Sequence, residues 1–196
     1  MNEPAATALK KTNGFWTIVQ MANLGFVIPA MGIPIAALVF AMLRGDLLPV
    51  NFVHVMTGAL WTGIDLFMGI ALGPALGGVD PAARAAIFKK LTPKLTFFMP
   101  VVAAVASTAG ISLAMKMGIL NFSDPRFIIA LVIVAVLTVQ GFGVLLPNEI
   151  RILRELLLDR PDVEKIGKLG MRNARLGGIQ GLLQLAIIFV MAVLRF

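Results

Sequence analysis

Residues 54–69 read HVMTGALWTGIDLFMG and bring three side chains with chemical capacity into one apolar run. His54 is the single histidine of the chain, and imidazole serves as a metal or haem ligand or as a proton carrier. Asp65 is a carboxylate deep inside a hydrophobic segment, where a charged Asp costs roughly 2.5–3.5 kcal/mol and marks a proton or cation site by default. Trp61 is one of two tryptophans, and its indole N–H needs a partner when buried. On a helix, eleven residues turn about 1100°, only about 20° off register, so His54, Gly58, Trp61, Asp65 and Met68 are expected to form one stripe. The same eleven residues rise roughly 16 Å, so His54 and Asp65 cannot ligate one ion and are two layers of a seam. That stripe is expected to face other helices, with Gly58 allowing their close approach.

The elements that position these residues follow from composition. The chain of 196 residues is 59% hydrophobic and 14% charged, with a mean hydropathy of +0.92, far from the balance of a soluble domain. The expected class is all-α: a polytopic membrane helical bundle forming a single transmembrane domain over 1–196. Apolar length and breakers predict about five spans, near 15–43, 50–76, 95–117, 126–147 and 176–195, with a cytoplasmic helical connection over 148–175. Pro29 and Pro34 should kink the first span. Gly141 and Gly143, followed by Pro147, mark a weak point in the fourth. The N-terminal MNEPAATALKKTNG lacks the short apolar core and cleavage site of a signal peptide, so the first span is expected to be retained.

Charge sets an orientation. Five spans put 13 of the 17 Lys and Arg residues on the N-terminal side: Lys10, Lys11, Arg84, Lys89, Lys90, Lys94 and the seven between Arg151 and Arg175. Arg44, Lys116, Arg126 and Arg195 fall on the other. This asymmetry predicts a cytoplasmic N-terminus and an external C-terminus, in the cell (inner) membrane. The net charge of +7 is explained by these basic loops, so nucleic acid is not an expected partner. Lys165, Lys168, Arg172 and Arg175 fall within about 80° on the helix entering span five, a face suited to anionic lipid headgroups.

Further intramembrane polar groups are expected to join Trp61 and Asp65 in a polar seam. They are Gln140 in span four and Gln180 and Gln184 in span five, the last two sharing a face at i and i+4. Gln20, Asn23, Ser107, Thr108, Ser112 and Thr138 suit hydrogen bonds between helices. Eleven methionines, scattered with no M-x-x-M or M-x-x-x-M pair, read mostly as core packing rather than a copper relay. Cysteine is absent, which removes disulfides and thiolate chemistry. No H-E-x-x-H, phosphate-binding glycine loop or nucleophile–base pair is present, so redox activity would require a bound cofactor.

His54, Trp61 and Gly63 spell H-x6-W-x-G, and Pro74-Ala75-Leu76 closes the same span. This pattern resembles the CopD-like copper-resistance membrane proteins and their bacterial relatives, and its spacing is similar to the opening of HemJ-type membrane proteins. The resemblance covers about 25 of the 196 residues. It implies a small helical bundle with His54 as the functional centre, ligating copper or haem b near the outer face. A bis-histidine haem would then need His54 from each of two protomers. Two other readings stand beside it: a small proton-coupled transporter or channel centred on Asp65, and a structural subunit of a larger membrane complex. A second copy or other membrane subunits are accordingly candidate partners.

Overall fold

The computed structural model describes residues 14–195, and the backbone alone at Arg195. Lys10 and Lys11, counted above in the orientation, lie outside the described residues. Among the described residues there is no strand. Helix α1 (Gly14–Ala22) meets α2 (Leu24–Arg44) at Asn23, whose φ of 70° breaks the helix while its side chain accepts the Gly25 N–H at 2.9 Å. The second span is α3 (Leu47–Leu66), a π-helical segment (Phe67–Leu72) and α4 (Gly73–Gly77). Helix α5 (Pro81–Met117) follows; then come α6 (Pro125–Gln140), a second π segment (Gly141–Leu145) and α7 (Leu146–Leu156). Helix α8 (Val163–Arg195) ends the chain. Five helical stretches are long and apolar enough to cross a bilayer. The protein is an α-helical membrane protein.

Local chemistry fixes the helix ends. Asp80 caps α5 by accepting the Ala82 and Ala83 N–H groups at 3.0 Å, with Pro81 in the first helical position. Asp124 and Pro125 repeat this at α6. Arg84 reaches back to the end of α4 and donates to the carbonyls of Leu76, Gly77 and Val79 at 2.9, 3.2 and 2.8 Å. Those groups would otherwise lack partners as the second span ends.

Both π segments have a local cause. Pro74 and Pro147 lack the N–H that would bond four residues back, and their rings crowd that turn. The chain slackens instead: the Gly73 N–H bonds the Met68 carbonyl and the Leu146 N–H bonds that of Gly141, each five residues back. The weak point expected around Gly141 and Gly143 is thus a π segment. Pro29 and Pro34, by contrast, lie inside a continuous α2, and the break falls at Asn23. The reason is a cap: the Asn23 side chain satisfies a freed N–H there, which neither proline offers.

Helix α5 begins at Pro81, fourteen residues before the expected third span, and α8 begins at Val163, within the helical connection expected to lead into the fifth. Within segment 148–175, Ile152, Leu153, Ile166 and Ala174 are buried, while Ile150, Leu157, Leu158 and Val163 stay exposed. Phe88, Ile152, Ile166 and Ala174 are buried together with Met68 and Leu76 in one cluster that continues below the spans. The Lys165 ammonium pairs with Glu155, which also accepts the Asp162 N–H at 3.1 Å and ties the 157–162 turn. A second cluster, Ala41, Val50, Val53, Val105 and Ala109, joins α2, α3 and α5 towards the other side. Large side chains such as Leu43, Val139 and Phe189 point outward, 83%, 69% and 70% exposed, as a lipid-facing surface requires.

Helix α8 runs against α3, α5, α6 and α7. Its glycines set the distance to α3. A Cβ built on Gly69 would lie 2.2 Å from Gly178 Cα, and one on Gly181 would meet Leu66 at 2.8 Å. Helix α6 rests on α8 and forms no comparable face with α5, leaving a gap between them.

Candidate intramembrane carboxylate site

Asp65 sits at the end of α3, just before the first π segment, and is only 4% exposed. The Gln184 side-chain N–H donates to its Oδ2 at 3.0 Å. The Gln180 amide and the Trp61 indole lie against the same carboxylate. Gly177 makes the seat possible, since a Cβ there would stand 3.3 Å from Asp65 Oδ1. Four residues expected in the polar seam therefore converge: Trp61, Asp65, Gln180 and Gln184. The Oε1 atoms of Gln180 and Gln184 are buried without a hydrogen-bond partner. A buried, unmet acceptor costs about 1–3 kcal/mol, so this cluster is short of donors.

The gap between α5 and α6 is a cavity of about 260 Å³ that reaches Asp65. Its polar lining includes Asp65, Trp61, Thr138, Asn173, Gln180 and, from α7, Glu149; Met99, Leu137 and Phe142 are among the apolar side chains around them. No Lys, Arg or His lines it. The α5 residues on its wall run from Leu95 to Ile111, a rise of roughly 24 Å against a hydrocarbon core of about 30 Å. Glu149 stands beside Thr96 and within electrostatic reach of Asp65. Two carboxyl groups on one low-dielectric cavity cannot both stay charged without a counter-cation, so protons or cations must neutralise them.

Glu149 is the candidate site residue that the sequence reading missed. It falls in the string N-E-I-R-I-L-R-E, which reads as solvent-exposed helix; in the fold α7 turns it inward. Its neighbour Asn148 is 1% exposed and donates to Asn173 Oδ1 at 3.0 Å, and the Asn173 side chain donates in turn to the Leu145 carbonyl at 3.0 Å. Arg151 donates to Asn148 Oδ1 at 3.0 Å and completes the ladder that holds α7 to α8.

The remaining predicted residues are distributed as follows. Gln140 is outside the cavity wall and donates to the Leu176 carbonyl at 2.7 Å, joining α6 to α8. His54 faces α5: its Nδ1 lies 2.9 Å from the Ala106 carbonyl, and the ring sits where a Cβ on Gly110 would be, 2.7 Å from Cε1. The expected single stripe therefore divides between partners, His54 against α5 and Asp65 against α8. Gly58 does not provide the close approach, because nothing lies within 4 Å of a Cβ placed there; Gly69, Gly110, Gly170 and Gly181 do. Among the described residues no group of three His, Asp or Glu side chains could hold a metal ion.

The basic face is also rearranged. Lys168, Arg172 and Arg175 share a recess of about 420 Å³ with Arg84, Gly77, Met171 and Leu176, with no acid in its lining. Lys165 is turned away to Glu155, and Lys168 also pairs with Glu164 at 2.7 Å. Compared with protein-family models, curated proteins and solved structures, the chain has no match.

Proposed function

We propose that this protein is a small proton-coupled membrane transporter or channel whose working site is the Asp65 cluster, with Glu149 as a second carboxylate on the same cavity. The supporting observation is the pairing of two acids from different spans on one basic-free cavity inside the bundle. Proton uptake at one carboxylate changes the charge available to hold a substrate, which is the elementary requirement for coupling. The two π segments lie beside this cavity, and such segments recur at functional sites because they loosen the helix locally. In this reading the recess around Arg84, Lys168, Arg172 and Arg175 holds anionic headgroups of the inner leaflet, in keeping with the cytoplasmic N-terminus that the charge asymmetry predicts.

Purified protein in liposomes carrying an internal pH-sensitive dye tests the reading. An imposed pH gradient should dissipate faster than in empty liposomes, and Asp65→Asn should remove at least nine-tenths of that excess. Glu149→Gln should lower it several-fold. Wild-type rates in both variants would overturn the proposal.

His54 supports a second reading, the copper or haem b site that the CopD-like resemblance implies. An Nδ1–H given to a backbone carbonyl, here that of Ala106, is the arrangement that orients a ligating imidazole. One chain supplies a single such ligand, so the residues present do not complete a metal or haem centre without a second protomer. A visible spectrum and metal analysis of purified protein decide it. A Soret band or stoichiometric copper lost in His54→Ala would support it, and a colourless, metal-free protein after reconstitution would exclude it.

A further inference from the structure

The cavity also bears on what is carried, an inference that rests on the transporter reading. Its charge has one sign: Asp65 and Glu149 contribute carboxyls, and no cationic side chain lines the wall. Acids alone do not define a ligand. The independent sign is Gln180, 2% exposed and on the cavity wall, whose Oε1 has no partner. Gln184, 3% exposed and bound to Asp65 through its N–H, leaves a second unmet Oε1 behind it. At Asp65 the site thus presents negative charge and an unmet acceptor, the Gln184, Gln180 and Trp61 N–H groups being engaged on the carboxylate, while the hydroxyls of Ser107 and Thr108 lie elsewhere on the wall. An occupant must bring positive charge and N–H groups.

Size and polarity narrow the class. At about 260 Å³ the cavity lies just under the roughly 300–1,000 Å³ of ordinary small-molecule pockets. That suits one ring and a short chain. Met99, Leu137 and Phe142 would cover an apolar body, which a hydrated inorganic cation does not have. Trp61 lines the same cavity and gives its indole N–H to the Asp65 carboxylate, adding an aromatic side chain to the wall. We propose that the Asp65 cavity binds small lipophilic primary or secondary amines in their protonated form, the ammonium N–H groups donating to Asp65 beside Gln180 and its unmet Oε1.

The test is equilibrium dialysis of full-length protein in nanodiscs with radiolabelled phenethylamine at neutral pH. Benzyltrimethylammonium, with the charge but no N–H, and phenylacetate, with the opposite charge, serve as competitors. Phenethylamine should bind saturably at one site per chain. Asp65→Asn should weaken it at least tenfold, and Gln180→Leu and Glu149→Gln several-fold each. Benzyltrimethylammonium should compete at least tenfold less well than unlabelled phenethylamine, and phenylacetate not at all. In Trp16→Phe protein, the remaining Trp61 fluorescence should change as the site fills. Absence of saturable binding, equal competition by phenylacetate, or unchanged affinity in all three variants would overturn the inference. Amine binding without proton flux would refute the transporter reading and leave the amine site standing. Proton flux through Asp65 without amine binding would do the reverse.

Discussion

Gly69→Ala is the sharpest perturbation of the α3–α8 seam on which Asp65 depends. The new methyl would begin 2.2 Å from Gly178 Cα and 2.8 Å from its nitrogen. Ordinary carbon contacts are about 3.5–4.0 Å, so the two backbones must separate by roughly 1.3–1.8 Å. Both near atoms are backbone, so no side chain can swing aside. Overpacking of this kind costs about 1–3 kcal/mol. Replacing a helical glycine by alanine returns at most about 1 kcal/mol of propensity, leaving a net loss of about 0–2 kcal/mol when that return is full. Gly58→Ala and Gly63→Ala are internal controls, because nothing lies within 4 Å of either position. Equilibrium unfolding in mixed micelles, titrated with a denaturing detergent and followed by tryptophan fluorescence, gives the free energies. Gly69→Ala should unfold earlier than wild type, while both controls match or exceed it. If Gly69→Ala proved as stable as Gly58→Ala, the packing of α3 on α8 described above would be wrong.

Other outcomes follow from the same geometry. Gly110→Ala should drive the His54 ring off the Ala106 carbonyl and cost about 0.6–2 kcal/mol, the range of one interhelical hydrogen bond in a membrane; amine binding should persist, since His54 is not on the cavity wall. Hydrogen bonds from Arg126 hold the Asp124 carboxyl below its ordinary range. That contribution to the α6 cap is present at neutral pH, above the usual value near 3.9, and is lost as pH falls through the depressed one. A carboxyl-carbon NMR titration should show the Asp124 midpoint rising in Arg126→Gln, and an unmoved midpoint would refute the pairing. Replacing Arg172 and Arg175 together with Gln should reduce binding of labelled phosphatidylglycerol to detergent-solubilised protein several-fold without altering binding of phosphatidylcholine.

Five spans were legible because apolar length is a local property that the bilayer reads residue by residue. Asp65 was legible for the same reason, as a carboxylate far from any end of its run. The start of α5 at Pro81 was not, because its first turns are fixed by the Asp80 cap and by burial of Ala85 and Phe88, which no apolar run announces. Glu149 was hidden among Arg151, Arg154 and Glu155, whose charges belong to the other faces of the same helix. Which glycine meets a neighbour is decided by how two distant helices are placed side by side. Local spacing favoured Gly58, whereas the contact falls at Gly69 opposite Gly178. The convergence of Gln180 and Gln184 on Asp65 was partly readable, since i and i+4 fixed their common face but not what that face would find.

Helix α8 differs from its neighbours in a respect that bears on motion. Residues 163–195 contain no proline, whereas each of the other four spans carries at least one. Spans two and four, which both contribute to the cavity wall, each contain a proline-associated π segment, and both segments pack against α8. With no proline to interrupt its hydrogen bonds, α8 is the continuous rod that holds Gln180 and Gln184 at Asp65, and the two locally loosened segments lie beside it.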